Sequence, residues 1–90
     1  MRIIESKDAV DVVDYGINWA GILSSGEEVS TSTWTIPDGL TSNTETNDGE
    51  ITRIFIGGGT LNAFYDLVNV VVTSGGRTFK ETLRLYIRSR

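Results

Sequence analysis

The apolar positions of this chain recur every second residue. Tyr15, Ile17 and Trp19 alternate with Asp14, Gly16 and Asn18, the period of a half-buried β-strand. Ser24–Ser25–Gly26–Glu27 then supplies turn chemistry. Val29–Ile36 is predicted as the next strand, rich in threonine and carrying Trp34. Pro37–Asp38–Gly39 ends it, because proline has no N–H for a ladder and Asp-Gly favours a turn. The polar run Thr41–Asn47 reads as a short edge strand or a loop, followed by a turn at Asn47–Asp48–Gly49. Ile51–Ile56 is a firm strand, which Gly57–Gly58–Gly59 is expected to break. Phe64–Thr73 is predicted as the longest strand, Ser74–Gly75–Gly76–Arg77 as a hairpin turn, and Thr78–Arg88 as the returning strand.

In that last strand Phe79, Leu83, Leu85 and Ile87 fall on one side. Lys80, Thr82, Arg84, Tyr86 and Arg88 fall on the other, and only Glu81 breaks the alternation. No segment offers an apolar stripe at helical spacing: the best, Ala9–Val13 running to Leu23, is interrupted by Gly16 and Gly21. Short strands with closely spaced turns predict an all-β fold, a sandwich or a small barrel. With the placement of Tyr65 described below, an immunoglobulin-like antiparallel β-sandwich of about six or seven strands is the favoured reading. Residues 1–11 are expected to be a flexible lead-in, and residues 12–90 the sandwich domain. The predicted core is Tyr15, Ile17, Trp19, Trp34, Ile36, Tyr65, Leu67, Val71, Leu83, Leu85 and Ile87. Tyr65 opens a long penultimate strand just after a glycine-rich connection, the place of the tyrosine corner in such sandwiches.

A solitary sandwich leaves one feature without a purpose. If Tyr65, Leu67, Asn69, Val71 and Thr73 face inward, then Phe64, Val68, Val70 and Val72 face out, and a row of valines in water is an unusual apolar patch. Three readings are open: the faces are reversed, the chain's own first residues cover the row, or another subunit does. On the last reading the candidate interface is Phe64, Val68, Val70 and Val72 with Arg84, Tyr86 and Arg88 of the returning strand.

Composition narrows the function. With no cysteine and no histidine, disulfides, the usual zinc sites and the commonest general bases and thiol nucleophiles are missing. Asp8, Asp11 and Asp14 recur every third residue, and Asp48–Gly49–Glu50 sits in a turn, but neither has the alternate-position oxygens and closing glutamate of a calcium loop. Gly57–Gly59 lacks the lysine and following helix of a phosphate loop. Neither an enzyme, a cofactor nor a small-molecule substrate is therefore expected. No stretch approaches a membrane span, and Met1–Glu5 has no apolar signal region. Residues 1–50 hold ten acids and two bases, while residues 51–90 hold two acids and six bases, so the halves carry −8 and +4 of the net −4. Nucleic acid fits such a chain poorly. Either acidic and basic strands lie side by side and screen each other, or the molecule is polar and docks head to tail or on a charged partner.

Several short motifs, taken in order, carry a family resemblance. They are Lys7–Asp8, Asp14–Tyr15, Asn18–Trp19, Ser32–Pro37 with Gly39–Leu40–Thr41, Gly58–Gly59–Thr60, Tyr65, Asn69, and Thr73–Ser74 with Gly76–Arg77. Together, over roughly residues 7–88, they resemble a family of short bacteriophage and prophage structural proteins often described as fibre–tail adaptors. Two positions depart from its usual pattern: Ala9 stands where a proline is usual, and Asn18 where an aspartate is usual. The resemblance implies an immunoglobulin-like fold, a place in the virion after synthesis in the bacterial host cytoplasm, and partners that are other phage structural proteins or further copies of the chain. The alternative is a free-standing binding module for a carbohydrate or host protein, with Trp19, Trp34 and Tyr65 lining its groove.

Overall fold

Runs of β-branched residues divided by glycine-bearing turns fold into seven strands: β1 (Arg2–Lys7), β2 (Val13–Asn18), β3 (Val29–Thr35), β4 (Leu40–Asn47), β5 (Ile51–Gly58), β6 (Phe64–Thr73) and β7 (Thr78–Ile87). The coordinates are a computed structural model that describes residues 2–89, with side chains described from Glu5 onward. No helix occurs among the described residues. The strands form two sheets, β1-β7-β6-β3 and β2-β5-β4. The chain turns back within one sheet at β4–β5 and β6–β7 and crosses between sheets at its other connections. This is the immunoglobulin-like arrangement, with the first strand moved across to pair with the last.

The structure corrects or completes the predicted elements at four places. β1 runs parallel to β7, from Arg2 opposite Thr82 to Lys7 opposite Ile87, so the sandwich is antiparallel at every pairing but this one. Arg2–Lys7, within the segment expected to be a lead-in, is thus a strand, and a turn follows it. Arg2–Lys7 mixes charged and apolar residues, and that masks its two-residue period. The polar run before Asp48 is β4, an edge strand with an irregularity between Ser42 and Glu45. Gly57 and Gly58 remain in β5, opposite Thr41 and Leu40, and the strand ends only at Gly59. β6 and β7 are equally long, at ten residues each.

Inward positions of both sheets fill the space between them. Tyr15, Ile17, Trp19, Trp34, Leu67, Val71, Leu83, Leu85 and Ile87 are buried, together with Val29, Ile54 and Ile56. Ile36 and Tyr65 are only half-buried and pack against this core from its margin, since Ile36 follows the last residue of β3 and Tyr65 sits near the start of β6. At the centre the sheets are joined by polar groups. The Thr52 hydroxyl on β5 donates to Asn69 Oδ1 on β6 at 2.6 Å. Trp19 Nε1 donates to Thr52 Oγ1 at 3.0 Å and to Asn69 Oδ1 at 3.3 Å. Asn69 Nδ2 reaches on to Ser32 Oγ at 2.9 Å and Thr33 O at 3.2 Å, so every polar atom of this buried amide is satisfied. In a chain without cysteine, these bonds tie the two layers at their centre.

Candidate docking surface

β6 is a central strand, and its register with both neighbours defines the outer face of the four-stranded sheet. On the β3 side, Thr35, Thr33 and Thr31 stand opposite Val68, Val70 and Val72. On the β7 side, Thr82, Lys80 and Thr78 stand opposite the same valines, Arg84 opposite Asp66, and Tyr86 opposite Phe64. An apolar ridge therefore runs along a face whose flanks are hydroxyl and cationic. Val68 and Val70 are half-buried between these neighbours, while Val72 is 39% and Phe64 57% exposed at the two ends.

Two of the three readings of the valine row can now be judged. Leu67, Asn69, Val71 and Thr73 are buried, so the faces are not reversed. β1 lies in the plane of the sheet beside β7, at its edge, and not across the outer side of β6. The third reading, cover by another subunit, is a proposal taken up below.

At one end of the ridge the side chains form an interlocked cluster. The Phe64 and Tyr86 rings stack with centroids 4.6 Å apart and planes 29° from parallel. The Arg84 guanidinium lies 5.5 Å from the Phe64 centroid, in reach of its π face, and its Nε donates to Asp66 Oδ1 at 3.0 Å. The Tyr86 hydroxyl donates to Asn62 Oδ1 at 3.1 Å. Asn62 adopts a left-handed backbone, φ 67°, which asparagine tolerates better than most residues. Aromatic rings and an arginine already held in place lose little freedom on binding, and these residue types dominate the energetic centres of interfaces. Arg88, exposed just beyond β7, extends the cationic margin.

The loops at the two ends of the sandwich are pinned by their polar groups. At one end Glu27, with its side chain only 6% exposed, accepts from Arg77 Nε at 3.0 Å, from Arg77 Nη2 and from Ser24 N–H at 2.8 Å. The Thr73 hydroxyl donates to the same carboxylate. The Arg77 guanidinium, then the Ser24 N–H and the Thr73 hydroxyl, hold the Glu27 carboxyl down at about 2. Arg77 also donates to Ile22 O at 2.9 Å and lies over the Phe79 ring, 4.9 Å from its centroid. This clamp fastens the β2–β3 loop to the β6–β7 hairpin and lines the cavity between them, leaving its carboxylate fully engaged.

At the other end the Tyr65 hydroxyl accepts from Thr60 N–H at 3.0 Å, a bond back to the chain just upstream, as in a tyrosine corner. Gly39 lies under that ring. A Cβ there would come within 3.1 Å of Tyr65 Oη, and φ is +101°. Lys7, 3% exposed, donates to Asp8 O at 2.8 Å and Asp11 O at 2.9 Å, closing the turn between β1 and β2. Burial draws its ammonium below the ordinary lysine value, against the pull of Asp8. Tyr15 donates to Ser6 O at 3.4 Å across the sheets. Burial, aided by the Glu5 and Asp14 carboxylates, pushes its phenol up to about 12.

Both indoles are interior, so neither lines a surface groove. Among the described residues no three acidic side chains converge as metal ligands. Asp8 and Asp11 are used locally: Asp8 Oδ1 accepts from Val10 N–H at 3.1 Å, and Asp11 Oδ2 from Asp8 N–H at 3.3 Å.

These features define the class: an immunoglobulin-like β-sandwich with an apolar and cationic sheet face and loops closed by their own hydrogen bonds. The chain belongs to the family described as podophage GP4 fiber-tail adaptor protein gp77, whose model matches residues 7–86. It is thus a phage fibre–tail adaptor, a structural protein of the virion tail. A comparison with curated proteins finds no match.

Proposed function

We propose that this adaptor is a non-catalytic connector that holds a neighbouring tail protein on the outer face of β7-β6-β3. It is made in the host cytoplasm and incorporated into the virion by that contact. The observation that carries the reading is the ridge of Phe64, Val68, Val70 and Val72, exposed at both ends and framed by Lys80, Arg84, Tyr86 and Arg88. An apolar centre with a charged rim is how protein interfaces are built.

The test replaces Val68, Val70 and Val72 by threonine, which keeps side-chain shape and strand preference but removes apolar surface. Binding to proteins encoded beside this one in the phage genome is then measured by co-purification and calorimetry. The triple variant is expected to fold as the parent does and to lose at least about tenfold in affinity, the equivalent of about 1.4 kcal/mol. Unchanged binding by a folded variant refutes the reading.

A further inference from the structure

The outer face is not the only surface without a partner: each sheet also has two open margins, and these are unequally protected. An open strand edge offers unpaired N–H and C=O groups to any other chain, and proteins blunt such edges with charges, prolines or bulges. β1 carries Arg2, Glu5 and Lys7, and β2 carries Asp14. β4 carries Glu45 and an irregularity between Ser42 and Glu45. β3, Val-Ser-Thr-Ser-Thr-Trp-Thr, has neither charge nor proline. Its only irregularity lies between Val29 and Thr31, where Val29 N–H already donates to Gly49 O and Val29 O accepts from Asn47 Nδ2. From Thr31 to Thr35 the strand is regular, and its outward threonines are exposed.

We infer that β3 is an assembly edge that pairs antiparallel with β3 of a second copy, giving a continuous eight-stranded sheet. Two observations favour a second copy as the occupant. An antiparallel pair about a two-fold axis presents the same strand to itself, and Ser-Thr-Ser-Thr is nearly self-complementary: threonine meets threonine on the outer face, and cross-strand threonine pairs are favourable. No like charges meet along this strand, as Glu45 would meet Glu45 if β4 paired with itself. A two-fold axis normal to the sheet would set both valine ridges on one side of the assembly, doubling the docking face proposed above. The edge contact itself does not depend on that face.

The test uses the whole chain at increasing concentration, reading mass by sedimentation and amide exchange by mass spectrometry. The expected result is a rise to twice the monomer mass, with exchange slowing at Ser30–Thr35 as the dimer fills. Thr31→Lys with Thr33→Lys places like charges across the pair and is expected to weaken dimerisation about tenfold while circular dichroism stays unchanged. The valine-to-threonine variant should still dimerise, so failure of the docking face and failure of the edge are read separately. Monomer mass at every concentration, or a dimer whose protection appears on β6 and β7 instead of β3, overturns the inference. Since exchange is read on the unmutated chain, a lysine variant that failed to fold would leave the test intact.

Discussion

Asn69 is the residue on which the two sheets depend most specifically, and truncating it gives a worked prediction. In the folded chain its amide accepts from Trp19 Nε1 and the Thr52 hydroxyl and donates to Ser32 Oγ and Thr33 O. In Asn69→Ala the indole keeps Thr52 Oγ1 at 3.0 Å. The Thr52 hydroxyl, fully buried, loses its acceptor, and leaving such a group unsatisfied costs about 1–3 kcal/mol. The missing amide leaves a void of roughly 25 Å³, worth about 0.6 kcal/mol at about 24 cal/mol per Å³. The total, about 3 kcal/mol, is a large fraction of the roughly 5–15 kcal/mol that holds a domain together.

Thr52→Val is the matched comparison. It removes one hydroxyl at nearly constant volume, and Asn69 Oδ1 and Trp19 Nε1 still have each other at 3.3 Å, so no donor is orphaned and the expected loss is about 1 kcal/mol. Urea unfolding followed by tryptophan fluorescence and circular dichroism gives both values. The double variant exchanges one orphan for another, because the buried Trp19 N–H then loses both of its acceptors in place of the Thr52 hydroxyl losing its one. It should be about as destabilised as Asn69→Ala alone, and by less than the sum. Equal losses in the two single variants, or strict additivity, would refute this account of the sheet-to-sheet tie.

Three further outcomes are expected. Tyr65→Phe removes the acceptor of Thr60 N–H and should lower stability by about 1 kcal/mol, seen as a reduced urea midpoint with an unchanged slope. Gly59→Ala should destabilise by about 1–3 kcal/mol, since φ is +104° and the new Cβ would lie 2.7 Å from Ile87 Cγ1 and Cδ1; calorimetric melting measures it. The carboxyl of Glu27 is lower in the folded than in the unfolded chain, so its contribution is full above pH 4.5 and is lost as pH falls towards 2; Glu27→Gln should flatten that acid limb in urea midpoints taken from pH 7 to pH 2.

The strands that were plain in the sequence are those with one wet face and one dry one. β7 keeps leucine and isoleucine inside against threonine, lysine and arginine outside, so its period survives even with Glu81 on the inward side, opposite Asn69. β1 was hidden because six residues of mixed charge carry little periodic signal, and parallel pairing with the last strand has no local mark of the kind a hairpin turn gives. Ile54 and Ile56 were absent from the expected core although Thr52, Ile54 and Ile56 recur at period two; Phe55 between them, itself apolar, blurred which face was inward. The Asn69–Thr52–Trp19 network could not be read in advance, since it joins residues 17 to 50 positions apart. The same holds for Glu27 and Arg77, which stand 50 positions apart and belong to opposite halves of the charge distribution.

That distribution decides what kind of partner the outer face suits. Glu27–Arg77 and Asp14–Arg53, the latter at 3.5 Å, each join the acidic half to the basic half, so part of the asymmetry is screened internally. The bases of β7 behave differently. Arg84 is held by Asp66 from its own half, while Lys80 and Arg88 make no ion pair among the described residues and flank the ridge. Strand preference could account for valines on a central strand, because β-branched residues stabilise it whatever lies outside. It does not account for the choice of valine where β3, equally β-branched, uses threonine on the same face. A surface that keeps its methyl groups on one strand, and lines them with cations on the next, fits a partner with an apolar centre and an acidic rim.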